Sequence, residues 1–472
     1  MASRRDQLQA HRFLVARVVS AVVTRQPDPE HPPFSRPSVA AVGSVAIAVL
    51  ALVAVGIYGV VVPGGNRTWR HGDAVIVVNE TGARYVYLDG RLHPVLNYTS
   101  ALLALGRHAP TRSVSRRSLV GVARGPRIGI VDAPDALPSR DGMLSGGWTL
   151  CSQPGSDGTG ATVDETVLLI GVEPAGHPLG DAAILVEVSG TGDHYLLWRG
   201  YRHRIRQPDT VAVGLALRAE PRARVGTVMV DVLPSGEPIA PIVVPRVGEP
   251  STAVPRRPDL RVGQLLMAQT SGGGLQHYLV EHDRLRPISQ FQYDIQLAYP
   301  ATAVAYGGAE PVGMPLGLVA AAEARKEPAV TPVPGAAPPS RPHFARPGGG
   351  PAAVCATYDG GVSVPRMQSD VRLPPADPMT ATAGRTSAGL PLADRVHVPP
   401  GRAALAEVMA SGQAAVGTLV LVTDQGRAYP LASREVPGIL GYAGVAPVRL
   451  PGGLVSRVPM GSGLDPATAK AR

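Results

Sequence analysis

Two cysteines, Cys151 and Cys355, and twelve histidines are the residues of this chain whose types suit nucleophilic, redox or metal chemistry. Their spacing rules out most of it. A nucleophile needs a base beside it, and a zinc centre needs clustered ligands, whereas the histidines are scattered. His277 and His282 flank one predicted strand an odd number of residues apart, so their side chains face opposite ways; surface histidines explain them, and no metal or cofactor site is assigned. The chain lacks a G-x-x-x-x-G-K-[ST] phosphate loop, an H-E-x-x-H helix and a G-x-S-x-G elbow. No catalytic residue is assigned. Leu144-Ser145-Gly146-Gly147 matches a fragment of transporter-ATPase signatures, without the loop that would give it meaning. Asn66, Asn79 and Asn97 open N-x-T sequons, which matter only in a eukaryotic secretory pathway. What remains is a disulfide. An even cysteine count in an oxidising compartment reads first as one bridge, with two free thiols as the alternative. Such a bridge would close about 200 residues, worth roughly 5 kcal/mol in the chain-entropy model.

The elements that must position that bridge begin with an anchor. From Val39 to Val62 there is no charge, and a helix over this run spans about 36 Å at roughly 1.5 Å per residue, enough to cross a bilayer core with some tilt. Before it, six arginines outnumber Asp6, Asp28 and Glu30, which keeps residues 1–38 in the cytoplasm and sends the bulk of the chain across. The charged lead is too long, and the apolar run too extended, for a cleaved signal peptide. Within the lead, Leu8, Val15, Val18, Val19 and Val22 share one side of a predicted helix that Pro27, Pro29, Pro32 and Pro33 end. This helix docks a partner or the lipid surface, or is an ordinary solvated lead.

Beyond the span one pattern recurs four times, from Ala74, Ala183, Gln264 and Thr418. An apolar strand turns through a Gly-containing loop into a second strand marked by Tyr85, Tyr195, Tyr278 or Tyr429, then a third strand and a short apolar helix follow. Asp89-Gly90 suits the positive φ angles of a two-residue hairpin. The tyrosines are expected to anchor the cores of their units; ligand binding is the other reading. The gaps between copies are unequal, and each oversized gap contains one cysteine, in GWTLCSQ and AAVCATYDGGVSV. The two insertions are therefore expected to meet as a central body pinned by the disulfide.

The fold expected is a single-pass transmembrane helix plus an α+β extracytoplasmic region, in which four small β-meander/helix repeat domains surround a β-rich central domain made from two separated segments. Its boundaries are 1–38 (cytoplasmic amphipathic lead), 39–62 (span), 66–118 (repeat 1), 119–180 (first central segment), 181–245 (repeat 2), 256–326 (repeat 3), 327–350 (a Pro/Gly-rich extended surface loop), 351–400 (second central segment), 401–461 (repeat 4) and 462–472 (a frayed tail). The formal charge is +9, of which the lead supplies about +3. The remainder reads as arginine scattered among acidic residues, which does not support nucleic-acid binding.

The RRDQLQAHRFLVARVVSAVV lead, the single span, YVYLDGRLHPVLNYTSALL, the TLCSQ and VCATYDGG cysteine contexts and the late fourth copy together resemble the EccB family, a membrane component of actinobacterial type VII (ESX) secretion systems. The resemblance covers nearly the whole chain. It implies a subunit beside a P-loop motor ATPase and multi-span channel subunits in the inner membrane, with a periplasmic ectodomain that self-associates. Repeat units of that family look like cell-wall-binding subunits of phage lysins, which implies peptidoglycan contact. Some relatives carry an ATPase label, which no motif here supports. The function expected is a non-enzymatic structural or assembly subunit of that secretion complex. An anchored cell-wall-binding module is the alternative, and a nucleotide-hydrolysing ectoenzyme ranks below both.

Overall fold

The computed structural model describes residues 3–25, 35–61, 68–156, 159–160, 162–270, 272–329, 331–346, 353–361 and 364–471. The prolines expected to end the leading helix lie outside them. That helix, Arg4–Thr24, starts at a capping box in which Ser3 and Asp6 satisfy each other's backbone N–H groups. Leu14, Val18 and Val22 are exposed along it. A second helix, Ser35–Val61, contains the window Val39–Tyr58, long and apolar enough to cross a membrane and packed against nothing in the protein.

Each of the first three repeats builds its own four-stranded sheet, and the four strands of the last are joined by a fifth, Met143–Leu144, paired parallel with its opening strand. In the first, Val75–Val78, Arg84–Leu88 and Arg91–Pro94 form an antiparallel meander, helix Tyr98–Leu105 follows, and Thr111–Val114 returns parallel to the opening strand. The second uses Ala183–Val188, His194–Trp198, Tyr201–Arg204, helix Pro208–Gly214 and Arg222–Val225. The third uses Leu265–Gln269, Leu275–Val280, Leu285–Ile288, helix Gln290–Leu297 and Gly313–Pro315. A parallel return requires a crossover, and in each unit the helix lies within that connection. The returning fourth strands are not legible in the sequence because they are too short to show alternation: TRSV and RARV bury only their last residue. The tight turn after the second strand is built alike in two repeats. Asp89 and Gly90 have φ of 47° and 76°, and Arg199 and Gly200 have 48° and 77°, so arginine adopts the left-handed position that aspartate holds in the first copy.

The fourth repeat corrects the sequence reading by one strand. Its opening strand is Ala403–Met409, followed by Thr418–Thr423, Ala428–Pro430, the short helix Val436–Ile439 and Val448–Pro451. The run from Thr418 is thus the second strand, and Tyr429 stands on the third. Six of the seven residues of AALAEVM, all but Val408, are good helix formers, which hid its strand character. Pairing on both edges, with Thr418–Thr423 and Val448–Pro451, overrides that propensity.

Between the repeats lies a six-stranded sheet drawn from two distant segments. Its order is Arg395–His397, Thr162–Ile170, Trp148–Ser156, Ala353–Tyr358, Arg366–Val371 and His177–Pro178. Only the first of these pairs in parallel. One face, with Trp148, Leu150 and Leu168, shares a core with Ile184, Val186 and Leu197 of repeat 2 and with Ala404, Ala406, Val420 and Val422 of repeat 4. Repeat 1 packs onto repeat 4 through Leu102, Leu103, Leu405, Leu421 and Tyr442. Repeat 3 packs onto repeat 2 through Phe291, Ile295, Val211 and Leu215. The order of bodies in space is therefore 1, 4, centre, 2, 3.

One terminal expectation changes. The segment 462–472, expected to fray, forms a docked helix: Asp465 caps helix Pro466–Lys470, and Leu464 and Ala469 are buried in the core shared by repeats 1 and 4. Burial of Leu464 and Ala469, invisible in GLDPATAKAR as a pattern, holds it. The Pro/Gly-rich stretch, described at 331–346, is extended but fastened. His343 and Ala345 bond the backbone of Ala183, Pro339 accepts from Phe291 N, and Arg341 ion-pairs with Glu220.

Candidate functional site

Cys151 and Cys355 sit directly opposite each other on neighbouring antiparallel strands and are bonded. Both are fully buried, on the face of the central sheet turned away from the repeats, among Val167, Leu169, Ala353 and Val371. Because strand side chains alternate, the adjacent residues face the repeats. Leu150 and Trp148 enter the shared core, and Tyr358 donates its hydroxyl hydrogen to Val232 O at 3.1 Å, tying the sheet to repeat 2. Thr149 and Thr357 pair their hydroxyls at 3.0 Å beside the bridge.

The recurring tyrosines fall into two classes. Tyr85, Tyr195 and Tyr278 occupy the same register, each opposite an apolar residue of the first strand (Ile76, Val186, Leu266). The first two are half-buried and Tyr278 is buried, which pushes its phenol pKa up. Val420 fills this slot in the fourth repeat, opposite Ala406. Tyr429 instead occupies the third-strand slot held by His93, His203 and Arg286 elsewhere.

That third-strand slot is the device the sequence reading missed. After its fourth strand each repeat's chain returns to the third strand's free edge as an isolated parallel bridge: Leu92 to Arg124, Arg202 to Ser235, Leu285 to Lys326 and Ala428 to Met460. The third-strand side chain grips the returning segment. His93 donates from Nδ1 to Pro126 O at 3.1 Å, and His203 donates to Glu237 O at 2.8 Å. The rings lie so close to Gly125, Gly236 and Gly461 that a side-chain carbon there would overlap His93, His203 or Tyr429. In the third repeat Arg286 grips Glu327 from Nε at 3.1 Å instead. A ring on one strand followed at similar distance by glycine was the available signal. It connects positions too far apart for local periodicity to register.

The charged groups are structural fasteners by their geometry. Glu407, buried inside repeat 4, accepts from Gly417 N–H at 3.0 Å, from Arg449 at 3.0 Å and from Arg434. The Gly417 bond foremost, with both guanidiniums, holds its carboxyl below the usual range. Burial pushes Glu165 up, yet hydrogen bonds from Arg395 and Gln153 outweigh it and keep that carboxylate low. Asp394 nearby accepts from Thr166 N at 2.7 Å and is raised by burial. Burial lowers the pKa of His203, and likewise that of His277, whose ring lies 4.4 Å from Tyr293. Among the described residues no group of three or more His, Cys, Asp or Glu could hold a metal. Two open cavities of about 330 and 310 Å³ are lined, the first by Thr68, Trp69 and Arg112, the second by Leu405, Leu419 and Tyr442. Neither places a nucleophile against a base.

A family model described as "Type VII secretion system ESX-1, transport TM domain B" matches residues 1–472. Over 320 residues the chain is 33% identical to the ESX-2 secretion system ATPase EccB2 of Mycobacterium tuberculosis (strain ATCC 25618 / H37Rv), which covers 66% of this chain and 61% of that protein. Over 287 residues it is 30% identical to the ESX-1 secretion system ATPase EccB1 of Mycolicibacterium smegmatis (strain MKD8), covering 59% and 58%. The matched region thus spans about three fifths of the length of these relatives. In a solved structure of an intact ESX-5 inner-membrane complex one chain superposes with a TM-score of 0.65 at 23% identity, covering 100% of this chain and 95% of that one. A structure of the EccB3 dimer from the ESX-3 core complex gives 0.64 at 24% identity, covering 84% and 100%. At these identities the structural likeness is one of fold. With the model matching residues 1–472, the chain belongs to the EccB family of type VII secretion proteins.

Proposed function

We propose that this chain is a non-enzymatic scaffold subunit of a type VII secretion complex in the inner membrane. The leading helix lies in the cytoplasm, the span crosses once, and the repeats stand in the periplasm. One observation carries this reading: five bodies are joined in a row by shared apolar cores, and their charged groups are spent on holding strands and returning segments together. Such an object presents surfaces rather than a reaction centre. The relatives' ATPase names do not transfer, because the sequence has no phosphate loop and only Lys326 and Lys470 as lysines. Its partners are the motor ATPase and polytopic subunits of the same complex, together with further copies of itself.

Detergent extraction and affinity purification of the full chain test this. Co-elution of a P-loop ATPase and multi-span subunits is expected. Recovery of the chain alone, with retention on purified cell wall, would replace the scaffold with a tether. Nucleotide hydrolysis by the purified chain, abolished by one substitution, would overturn the non-enzymatic assignment.

A further inference from the structure

The positive charge of this protein, expected to be scattered, is concentrated in one unit. Residues 66–130 hold ten arginines against three carboxylates, Asp73, Glu80 and Asp89, an excess of seven within the chain's +9. Residues 131–472 hold 29 basic and 30 acidic side chains, so the other repeats and the centre are close to neutral. The basic unit is repeat 1 together with the segment that returns to its third strand, and it is the unit joined directly to the span.

The fold gathers half of these arginines at the pole where the chain enters. Thr68–His71 forms a short 3-10 turn, and Trp69 within it is buried. Trp69 Nε1 donates to Ser118 Oγ at 3.0 Å, which brings the turn Arg116–Leu119 alongside. Arg70 lies over the Trp69 ring with its guanidinium carbon 5.4 Å from the centroid. Arg107 donates to Gly72 O at 2.9 Å, and Arg112 donates to Thr68 Oγ1. Asp73 ion-pairs with Arg112 at 3.5 Å, and Glu80 accepts from the backbone N of Arg116. Among the described residues Arg70, Arg107, Arg116 and Arg117 form no ion pair, and Val120 beside them is 75% exposed.

Chain length fixes where this pole must be. Val61 ends the second helix and Thr68 begins the turn; seven residues reach at most about 25 Å even when extended at roughly 3.6 Å per residue. We infer that this arginine pole of repeat 1 docks on the anionic phospholipid headgroups of the leaflet from which the span emerges, setting the tilt of the ectodomain against the bilayer. Guanidiniums pair with phosphate in bidentate fashion, clustered basic residues next to a span are attracted by an anionic surface, and Val120 supplies an apolar contact at the interface. The inference rests on the reading that Val39–Tyr58 crosses the membrane.

Hydrogen exchange on the full chain in nanodiscs tests it. In discs containing phosphatidylglycerol, backbone amides of residues 107–120 are expected to exchange roughly tenfold more slowly than in pure phosphatidylcholine discs, and high salt should erase the difference. A variant carrying Arg107→Gln, Arg116→Gln and Arg117→Gln should lose the protection. Arg124→Gln with Arg127→Gln removes charge from the opposite edge of the same sheet, beside Leu92 and Val95, and should keep it. Equal exchange in both lipids, or equal loss in both variants, overturns the proposal. Protection by a soluble polyanion but not by anionic discs would move the surface to an acidic macromolecule and overturn it too. Alkaline carbonate extraction separates the underlying reading: a chain that leaves the vesicles has no span and therefore no tether, whereas a chain that stays without lipid-dependent protection removes the docking alone.

Discussion

Repeats 1 and 4 and repeats 2 and 3 are two couplings of the same unit, and they hold by different means. The first pair merges its cores: Leu102, Leu103, Leu405, Leu421, Tyr429, Tyr442 and Leu464 form one buried cluster, closed by helix Pro466–Lys470. The second pair has a smaller common core and leans on polar fasteners. Gln296 exchanges two hydrogen bonds with Ile242, Gln292 donates to Ala240 O, and the strap at 331–346 bonds both repeats. Gly214 lets helix Pro208–Gly214 approach the Gln290–Leu297 helix so closely that a side-chain carbon would sit 2.5 Å from Asp294 O. Coupling by apolar area is forgiving in geometry, while coupling through backbone contacts depends on every spacing. The same fold can therefore carry one rigid pair and one that opens more readily.

The largest expected effect cuts the link between the pairs. Cys151→Ser frees a loop containing repeats 2 and 3, costing about 5 kcal/mol by the chain-entropy estimate, seen as a lower melting temperature; the oxidised chain should also migrate faster on a gel than the reduced one, and equal mobility counts against the bridge. Next, Leu103→Ala should cost about 3 kcal/mol, with faster amide exchange confined to repeats 1 and 4. Uniform loss across the molecule would show that the pairs do not act separately. Gly214→Ala should cost about 2 kcal/mol through overpacking and loosen repeats 2 and 3 alone. Arg341→Ala, removing a half-exposed ion pair and a bond to Leu215 O, should cost about 1 kcal/mol after screening and raise proteolysis within the strap.

Acid sharpens the contrast further. The folded-state pKa values of His203 and His277 are lowered by burial from 6.5, so the unfolded chain binds protons first. Their contribution is complete above pH 6.5 and is lost as pH falls from there through the lowered folded values. Both lie in the second pair, and the slot that His203 fills in repeat 2 holds Tyr429 in repeat 4, which stays neutral there. Melting curves between pH 7 and about 5 should show repeats 2 and 3 weakening first. A pH-independent order of unfolding would remove histidine from the account.

Much of this organisation was legible in the chain because it is local or compositional. The uncharged run before Pro63, the hairpin dipeptide Asp89-Gly90 and the cysteines within the long gaps each announce themselves within a short window. The fourth copy was misphased for the opposite reason: AALAEVM favours helix in isolation, and only strands on both sides of it make it a strand. Arginine abundance was visible as a total, but its gathering around Trp69 depends on Ser118 and Gly72 meeting the same turn.

By itself the sequence determined an anchored chain of duplicated sheet units and a cystine between two insertions, since hydrophobic length, turn chemistry and residue counts are properties of neighbours along the chain. Tertiary structure alone decided that repeat 1 meets repeat 4, that rings on third strands seat against distant glycines, and that the terminal helix is buried. Those outcomes come from surfaces matching across hundreds of residues, where shape and backbone spacing choose the partner and no periodicity in the sequence records the choice.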